Sequence, residues 1–188
     1  NPQMVGAYNF VPGVLGMILI LICAMMTSIA IVREKEKGTM EILLVSPMKP
    51  IYTILSKITP YFVLSCINFA SIMVLSYFVL KVPIAGSFAL LVFVSLLYIF
   101  VALALGLLIS TLAQTQIAAM LISGMGLMIP VMLLSGMIFP VENMPLPLQI
   151  FSNIIPARWY IQAVKAIMIE GLGITYIWKE IAVLSLMA

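Results

Sequence analysis

The charged side chains that could do chemistry are concentrated in one short segment, residues 31–57. Of nine basic and six acidic residues, the segment holds Arg33, Glu34, Lys35, Glu36, Lys37, Glu41, Lys49 and Lys57. The chain has no His, and every acidic residue is Glu. These absences exclude a HExxH zinc site, a Ser-His dyad and an aspartyl dyad. We therefore expect no catalytic residue and no metal site, and we expect the segment to serve docking or anchoring.

The elements that carry this segment are too apolar for a water-soluble fold. The 188 residues are 64% hydrophobic and only 8% charged, with a mean hydropathy of +1.27. An average soluble domain is about one-quarter charged. The net charge of +3 is too small and dispersed for nucleic acid. Cys23 and Cys66 lie inside apolar runs and are expected to act as small hydrophobic residues.

We predict an all-α polytopic integral membrane bundle, a single transmembrane domain over residues 1–188. Uncharged runs that can cross a bilayer form spans A to D at 10–32, 58–80, 88–112 and 117–139, and span E begins at 175 and stops at 188. Residues 140–174 favour two short amphipathic helices near 146–154 and 157–170, with Arg158, Trp159 and Tyr160 typical of a membrane interface. Since the chain starts without Met and ends within a span, we expect a piece of a longer protein.

The connector between spans A and B, residues 33–57, combines charge with helix-breaking signals. Gly38 is predicted to end the extension of span A, and Thr39 to cap a short helix with Glu41 in its first turn. Ser46 and Pro47 are predicted to end that helix, whose residues 40–45 supply an apolar face. A positive-inside anchor explains the basic residues but not the three glutamates. Anchoring and protein docking both stay open.

The basic residues of the short loops set the predicted orientation. Arg33, Lys35, Lys37, Lys49 and Lys57 place the connector in the cytoplasm, against one Lys in the next loop. The turn between spans C and D, residues 113–116, then also lies inside. Residues 140–174 lie outside, although they include Arg158 and Lys165.

The spans contain residues that favour helix packing, but no residues that could couple transport to an ion or to ATP. Ala102, Gly106 and Ser110 share one face, which favours packing within the chain over a dimer seam. The glycines around Pro130 in span D indicate either a mobile gate or tolerated breaks in the helix. The 15 methionines indicate either a flexible lining for ligands or ordinary packing. No buried ion relay, phosphate-binding loop or selectivity filter is present. A transporter of this kind needs an energy source docked from outside.

Three segments carry a resemblance to a known family. They are "REKEKGTMEILLVSPMKPIYTILSK", "LLSGMIFPVENMPLPLQIFSNIIPARWYIQAVKAIMIEGLG" and "FVPGVLGMIL". Together they resemble type-2 ATP-binding-cassette (ABC) exporter permeases, in the drug-exporter-like branch. The resemblance implies six spans per subunit, with spans A to E as the second to sixth. The first span and an extracytoplasmic domain would be absent, and residues 140–174 would be an outer re-entrant segment.

The resemblance also implies partners and a coupling site. A cytoplasmic ABC ATPase subunit would bind ATP and Mg²⁺, this chain would bind no cofactor directly, and a second permease subunit would complete a homo- or heterodimer in the lipid bilayer. The connector would be the coupling helix, a role that carries over to Glu34, Glu36, Gly38, Thr39, Glu41 and Pro47. Gln114 and Gln116 would form a second, smaller contact. The substrate path would follow spans A and D, without any residue identified as a ligand.

The sequence thus predicts the non-enzymatic permease subunit of an ATP-driven exporter. It would move an amphipathic or hydrophobic substrate, a drug or lipid-like compound, out of the cytoplasm across a bacterial inner membrane. The alternative is a membrane scaffold or assembly subunit that recruits a cytoplasmic partner without transport.

Overall fold

The computed structural model describes residues 2–45, 47, 49–78, 85–138 and 141–188. Its helices are α1 (Pro2–Glu36), α2 (Thr39–Val45), α3 (Pro50–Phe78), α4 (Phe88–Leu112), α5 (Gln116–Leu134), α6 (Leu146–Ser152), α7 (Pro156–Met168) and α8 (Ile174–Met187), with a 3-10 turn at Val141–Asn143. These residues contain no strand, which confirms the all-α prediction. The predicted stop at Ser46, most of the loop after span B, and the end of span D at 139 lie outside the described residues.

Four helices are long and apolar enough to cross a membrane. They are Phe10–Glu36 of α1, Ile51–Phe78 of α3, and the whole of α4 and α5. The shortest, α5, has 19 residues. At 1.5 Å per residue it is about 28 Å long, close to the ~30 Å of bilayer hydrocarbon. The chain is therefore a multi-pass membrane protein, as its composition predicts.

Helices α1 and α4 form the centre of the bundle, and α3 and α5 flank α1. A Cβ atom on Gly106 of α4 would lie 2.8 Å from the carbonyl oxygen of Ala24 in α1. Ala102 and Ser110, on the same face of α4, are buried as well. The small-residue face of span C therefore packs within the chain, and the predicted preference for internal packing is confirmed.

Helix α5 ends earlier than predicted. Span D was expected to reach residue 139, but the helix stops at Leu134. Gly136 follows with φ of +81°, a left-handed conformation that interrupts a right-handed helix and favours glycine. Residues 135–138 after α5 are therefore not helical.

Helix α7 is amphipathic and buries its apolar face against α1, α4 and α8. The Tyr160 ring stacks on Tyr98 of α4 with centroids 4.1 Å apart. The Tyr160 hydroxyl lies 2.9 Å from the Ser95 hydroxyl, and the Tyr98 hydroxyl donates to the Gly16 carbonyl at 2.8 Å. Helical periodicity turns Tyr160 into the bundle, and Trp159 is also buried. The membrane-interface position of these two residues stays a prediction.

The bundle has two distinct ends. Near one, Gly13 of α1 approaches Met137, and the Ala85 amide donates to the Met168 carbonyl at 3.1 Å. Near the other, Glu36 of α1 contacts Gln116. These ends of α1 are about 35 Å apart along the helix. The connector therefore lies at one end, called the connector end below, and α7 lies towards the opposite end.

Candidate coupling site

The connector end is built around a sharp break between α1 and α2. Gly38 has φ of +69°, which a residue with a Cβ adopts only under strain, and no atom lies within 4 Å of the place a Cβ would take. The Thr39 hydroxyl donates to the Glu34 carbonyl at 3.2 Å. Thr39 therefore closes the turn back onto α1, a hydrogen bond different from the predicted cap.

Helix α2 is short and exposed. Glu41 lies in its first turn, where its charge is favourable to the helix dipole. Ile42 and Val45 are 73% and 87% exposed. Two exposed aliphatic side chains beside a carboxylate form a surface that another protein can cover.

An ion pair ties the end of α1 to α3. The Lys57 ammonium group bonds the Glu34 carboxylate, and both side chains are partly shielded from solvent. This is the single ion pair within 4 Å among the described side chains. Helix α2 lies between these two residues in the chain. The pair therefore holds together the two ends of the segment that contains α2.

A second link joins α1 to the turn between α4 and α5. The Glu36 carboxylate accepts a hydrogen bond from the Gln116 backbone amide at 2.9 Å and another from the Gln116 side-chain amide. The Lys35 ammonium donates to the Ser110 carbonyl near the end of α4. Unsatisfied amides at a helix start and carbonyls at a helix end are the groups that need such partners. The end of α1 therefore caps both helices of the neighbouring hairpin.

The α4–α5 turn also caps itself. The Thr115 hydroxyl accepts a hydrogen bond from the Ala118 amide at 3.1 Å, so Thr115 is the N-cap of α5. Gln114 is exposed beside it. This turn holds its shape while Gln114 stays free to contact another molecule.

The predicted site residues fall into two groups. Glu34, Glu36 and Gln116 form the links between helices, and Gly38 and Thr39 form the break. Glu41, Pro47 and Gln114 are exposed at the surface of the connector end. The sequence assigned Lys35 to orientation and Ser110 to packing, but it predicted neither the bond between them nor the cap at Thr115. The Thr-x-x-Ala start of α5 was the one readable signal, because Thr is a common N-cap.

The connector end offers charged and aliphatic side chains for contacts. Among the described residues, no group of three His, Cys, Asp or Glu could hold a metal ion. Four charged residues of the connector are engaged in links between helices, and the other four are exposed. The linked ones are Glu34, Lys35, Glu36 and Lys57, and the exposed ones are Arg33, Lys37, Glu41 and Lys49. The links join the end of α1 to α3, α4 and α5.

Fold and site together define a polytopic α-helical membrane protein with a short exposed helix and linked helix ends at one end. The chain belongs to the ABC-2 transporter family: the family description "ABC-2 family transporter protein" matches residues 1–188. The resemblance stated from the sequence is thereby confirmed.

Curated relatives agree with this assignment. The chain is 34% identical over 171 residues to the probable multidrug ABC transporter permease YbhS of Escherichia coli (strain K12), covering 91% of the chain and 45% of the relative. It is 32% identical to the probable multidrug ABC transporter permease YbhR of the same strain, covering 96% of the chain and 49% of the relative. The inner membrane transport permease YhhJ is 30% identical over 89% of the chain and 44% of the relative. The chain thus spans less than half the length of these relatives. No solved structure matches it.

Proposed function

We propose that this chain is the membrane core of a permease subunit in an ATP-driven ABC exporter. It would move an amphipathic or hydrophobic substrate, drug or lipid-like, out of the cytoplasm. The observation that carries the proposal is the exposed helix α2, which directly follows the end of α1, where Glu34 is linked to α3 and Glu36 to the start of α5. Family membership and the two relatives described as multidrug permeases support it.

In this proposal α2 is the coupling helix. A cytoplasmic ABC ATPase covers Glu41, Ile42 and Val45, with Gln114 as a second contact. When ATP binding closes the ATPase dimer, α2 shifts. The Glu34–Lys57 pair carries the displacement to α3, and the Glu36–Gln116 bonds carry it to α5.

In this proposal, partner subunits bind and hydrolyse ATP and complete the substrate path. ATP and Mg²⁺ bind the ATPase subunit, which performs the hydrolysis, while the permease has no catalytic site of its own. A second permease subunit completes the path, which runs along α1 and α5. The bacterial relatives, one of them described as an inner membrane permease, support placement in an inner membrane.

The test is a pair of connector variants in the full-length protein, reconstituted with its ATPase subunit. Gly38→Pro is incompatible with the turn between α1 and α2, because proline fixes φ near −65° where Gly38 has +69°. Glu41→Arg reverses a charge on the exposed face of α2. We expect each variant to lower ATP-dependent ethidium efflux, measured as ethidium accumulation in the lumen of inside-out vesicles, and the permease-dependent ATPase rate, by about tenfold or more.

Glu170→Arg is the matched control, since Glu170 is an exposed glutamate just after α7, towards the opposite end of the bundle. It should leave both rates unchanged. Unaltered efflux and ATPase rates in both connector variants would refute the coupling role. An ATPase that binds the wild-type protein without any ATP-dependent efflux and without a change in its rate would instead favour a scaffold.

A further inference from the structure

A polar cavity of about 520 Å³ lies between the turn after α5 and one face of α7. Three polar side chains of α7 line it, Arg158, Gln162 and Lys165, which share one face because they follow at helical spacing. Ser135 and Gly136 after α5 form the opposite wall, with Glu142 also in the lining. Its volume is in the range of sites that hold small ligands.

Arg158 is held in place with part of its guanidinium free. Its Nη1 donates to the Ser152 hydroxyl at 2.5 Å and to the Asn153 side-chain oxygen at 2.7 Å, with a longer contact to the Gln149 carbonyl. Its guanidinium also lies 5.4 Å from the Trp159 ring centre. Within the described structure Nη2 makes no hydrogen bond, and Nε is buried without a partner. A fixed guanidinium with unused donors is suited to a planar or tetrahedral oxyanion.

Lys165 adds a second positive charge to the same cavity. It lies two helical turns from Arg158, about 10 Å along α7. In the described part of the chain it has neither a hydrogen bond nor an ion pair, and Glu142 comes within 4 Å of neither cation. Burial lowers the pKa of both Arg158 and Lys165, since their charges are partly desolvated. Two cations without an ion-pair partner, against the one carboxylate of Glu142, leave the cavity lining with a net positive charge that favours an anion.

The surroundings indicate where the anion comes from. The cavity lies towards the bundle end opposite the connector, and the face of α7 behind it packs against apolar spans. Basic pockets between membrane helices on the cytoplasmic side bind lipid head groups. The same charge-assisted contacts to phosphate are available to Arg158 and Lys165 at this end. We propose that this cavity binds a phosphate group through Arg158 and Lys165, supplied by the head group of a membrane phospholipid. This site is independent of the coupling role and of transport.

The experiment measures lipid binding to the full-length protein, purified in detergent and stripped of lipid. Native mass spectrometry would compare dioleoylphosphatidylglycerol with dioleoylglycerol, which has the same tails and no phosphate. We expect the first lipid to bind and the second not to. Lys165→Gln should weaken phosphatidylglycerol binding by about tenfold, because one charge-assisted contact is lost.

Lys179→Gln is the matched control. Lys179 is exposed on α8, lies 5.7 Å from the Trp159 ring centre and is outside the cavity lining, so its replacement should leave binding unchanged. Arg158→Gln should also weaken binding, but Arg158 additionally holds α6 to α7, so Lys165→Gln is the decisive variant. Equal phosphatidylglycerol affinity in Lys165→Gln and wild type would overturn the proposal, as would tight binding of dioleoylglycerol.

Two further arms sharpen the result. Glu142→Gln removes a negative charge from the lining and should tighten phosphatidylglycerol binding by about two- to fivefold; weaker binding would contradict a phosphate site. Inorganic phosphate is titrated alone as the second source. If it binds, is lost in Lys165→Gln, and phosphatidylglycerol does not bind, the phosphate site stands and its ligand comes from solution.

Discussion

Glu34 and Glu36 lie two residues apart at the end of α1, yet they contact different helices. Residues at this spacing point to different sides of a helix. Glu34 therefore meets Lys57 of α3, while Glu36 meets Gln116 at the start of α5. Lys35, between them, bonds the Ser110 carbonyl of α4. Three consecutive side chains thus tie the connector to every neighbouring helix at this end.

Replacing Glu36 tests the link between the connector and α5. Glu36→Ala removes the acceptor of both Gln116 hydrogen bonds and leaves the Thr115 cap in place. We expect the backbone amides at the start of α5 to exchange with solvent roughly tenfold faster, since the local opening loses a charge-assisted contact. Hydrogen–deuterium exchange of the full-length protein measures this. Glu170→Ala should not change these amides, and equal protection in Glu36→Ala would show that Thr115 alone holds the helix start.

At the scale of elements, α7 depends on its aromatic contacts with α4. Its face towards the bundle is apolar except for the Tyr160 hydroxyl, which meets Ser95. Burial of a large aromatic ring contributes more to stability than one neutral hydrogen bond does. The Tyr98–Tyr160 stack, together with the bond from Tyr98 to Gly16, therefore anchors α7 to both central helices.

Two substitutions at Tyr160 separate the ring from the hydroxyl. Tyr160→Ala should lower the free energy of unfolding by about 3–5 kcal/mol, because it leaves a cavity. Tyr160→Phe should cost about 1 kcal/mol, since Ser95 still donates to the Leu91 carbonyl. Thermal unfolding in detergent checks both against Tyr176→Ala, an exposed tyrosine of α8. Similar losses for the Ala and Phe variants would mean that the hydroxyl dominates.

Local signals in the sequence account for much of the fold but not for the links between helices. Gly38 and the polar turn at residues 113–116 mark breaks because their chemistry is local. The small-residue face of span C was also predictable from the sequence, because its residues are only four positions apart. The Glu36–Gln116 contact joins residues 80 positions apart, and periodicity carries no information on such a pairing. The early end of α5 depends on the left-handed turn at Gly136, which a span predicted from hydrophobicity alone runs past.

For the whole molecule, the burial of the four spans is unequal. The apolar windows of α1 and α4 are 44% buried, against 17% for α3 and α5. Two spans therefore keep most of their surface for lipid or for another protein. The two helices differ in their glycine content. A Cβ on Gly124 of α5 would meet open space, and a Cβ on Gly126 would lie 3.9 Å from one side-chain atom of Ile122. Both helices also expose large side chains, such as Met125 and Ile129 on α5 and Val63 and Ile67 on α3. Helix α3, however, contains no glycine.

Small residues on an exposed membrane helix permit close approach of a second helix. We therefore expect two permease subunits to meet along α5, while α3 faces lipid. In a background with Cys23→Ala and Cys66→Ala, Met125→Cys should form a disulfide-linked dimer in membranes treated with copper phenanthroline. Ile67→Cys is the matched control, since Ile67 and Met125 are 57% and 63% exposed and lie at similar depth from the connector end. A dimer formed equally by both variants would indicate random collision, and a dimer formed only by Ile67→Cys would place the subunit interface on α3.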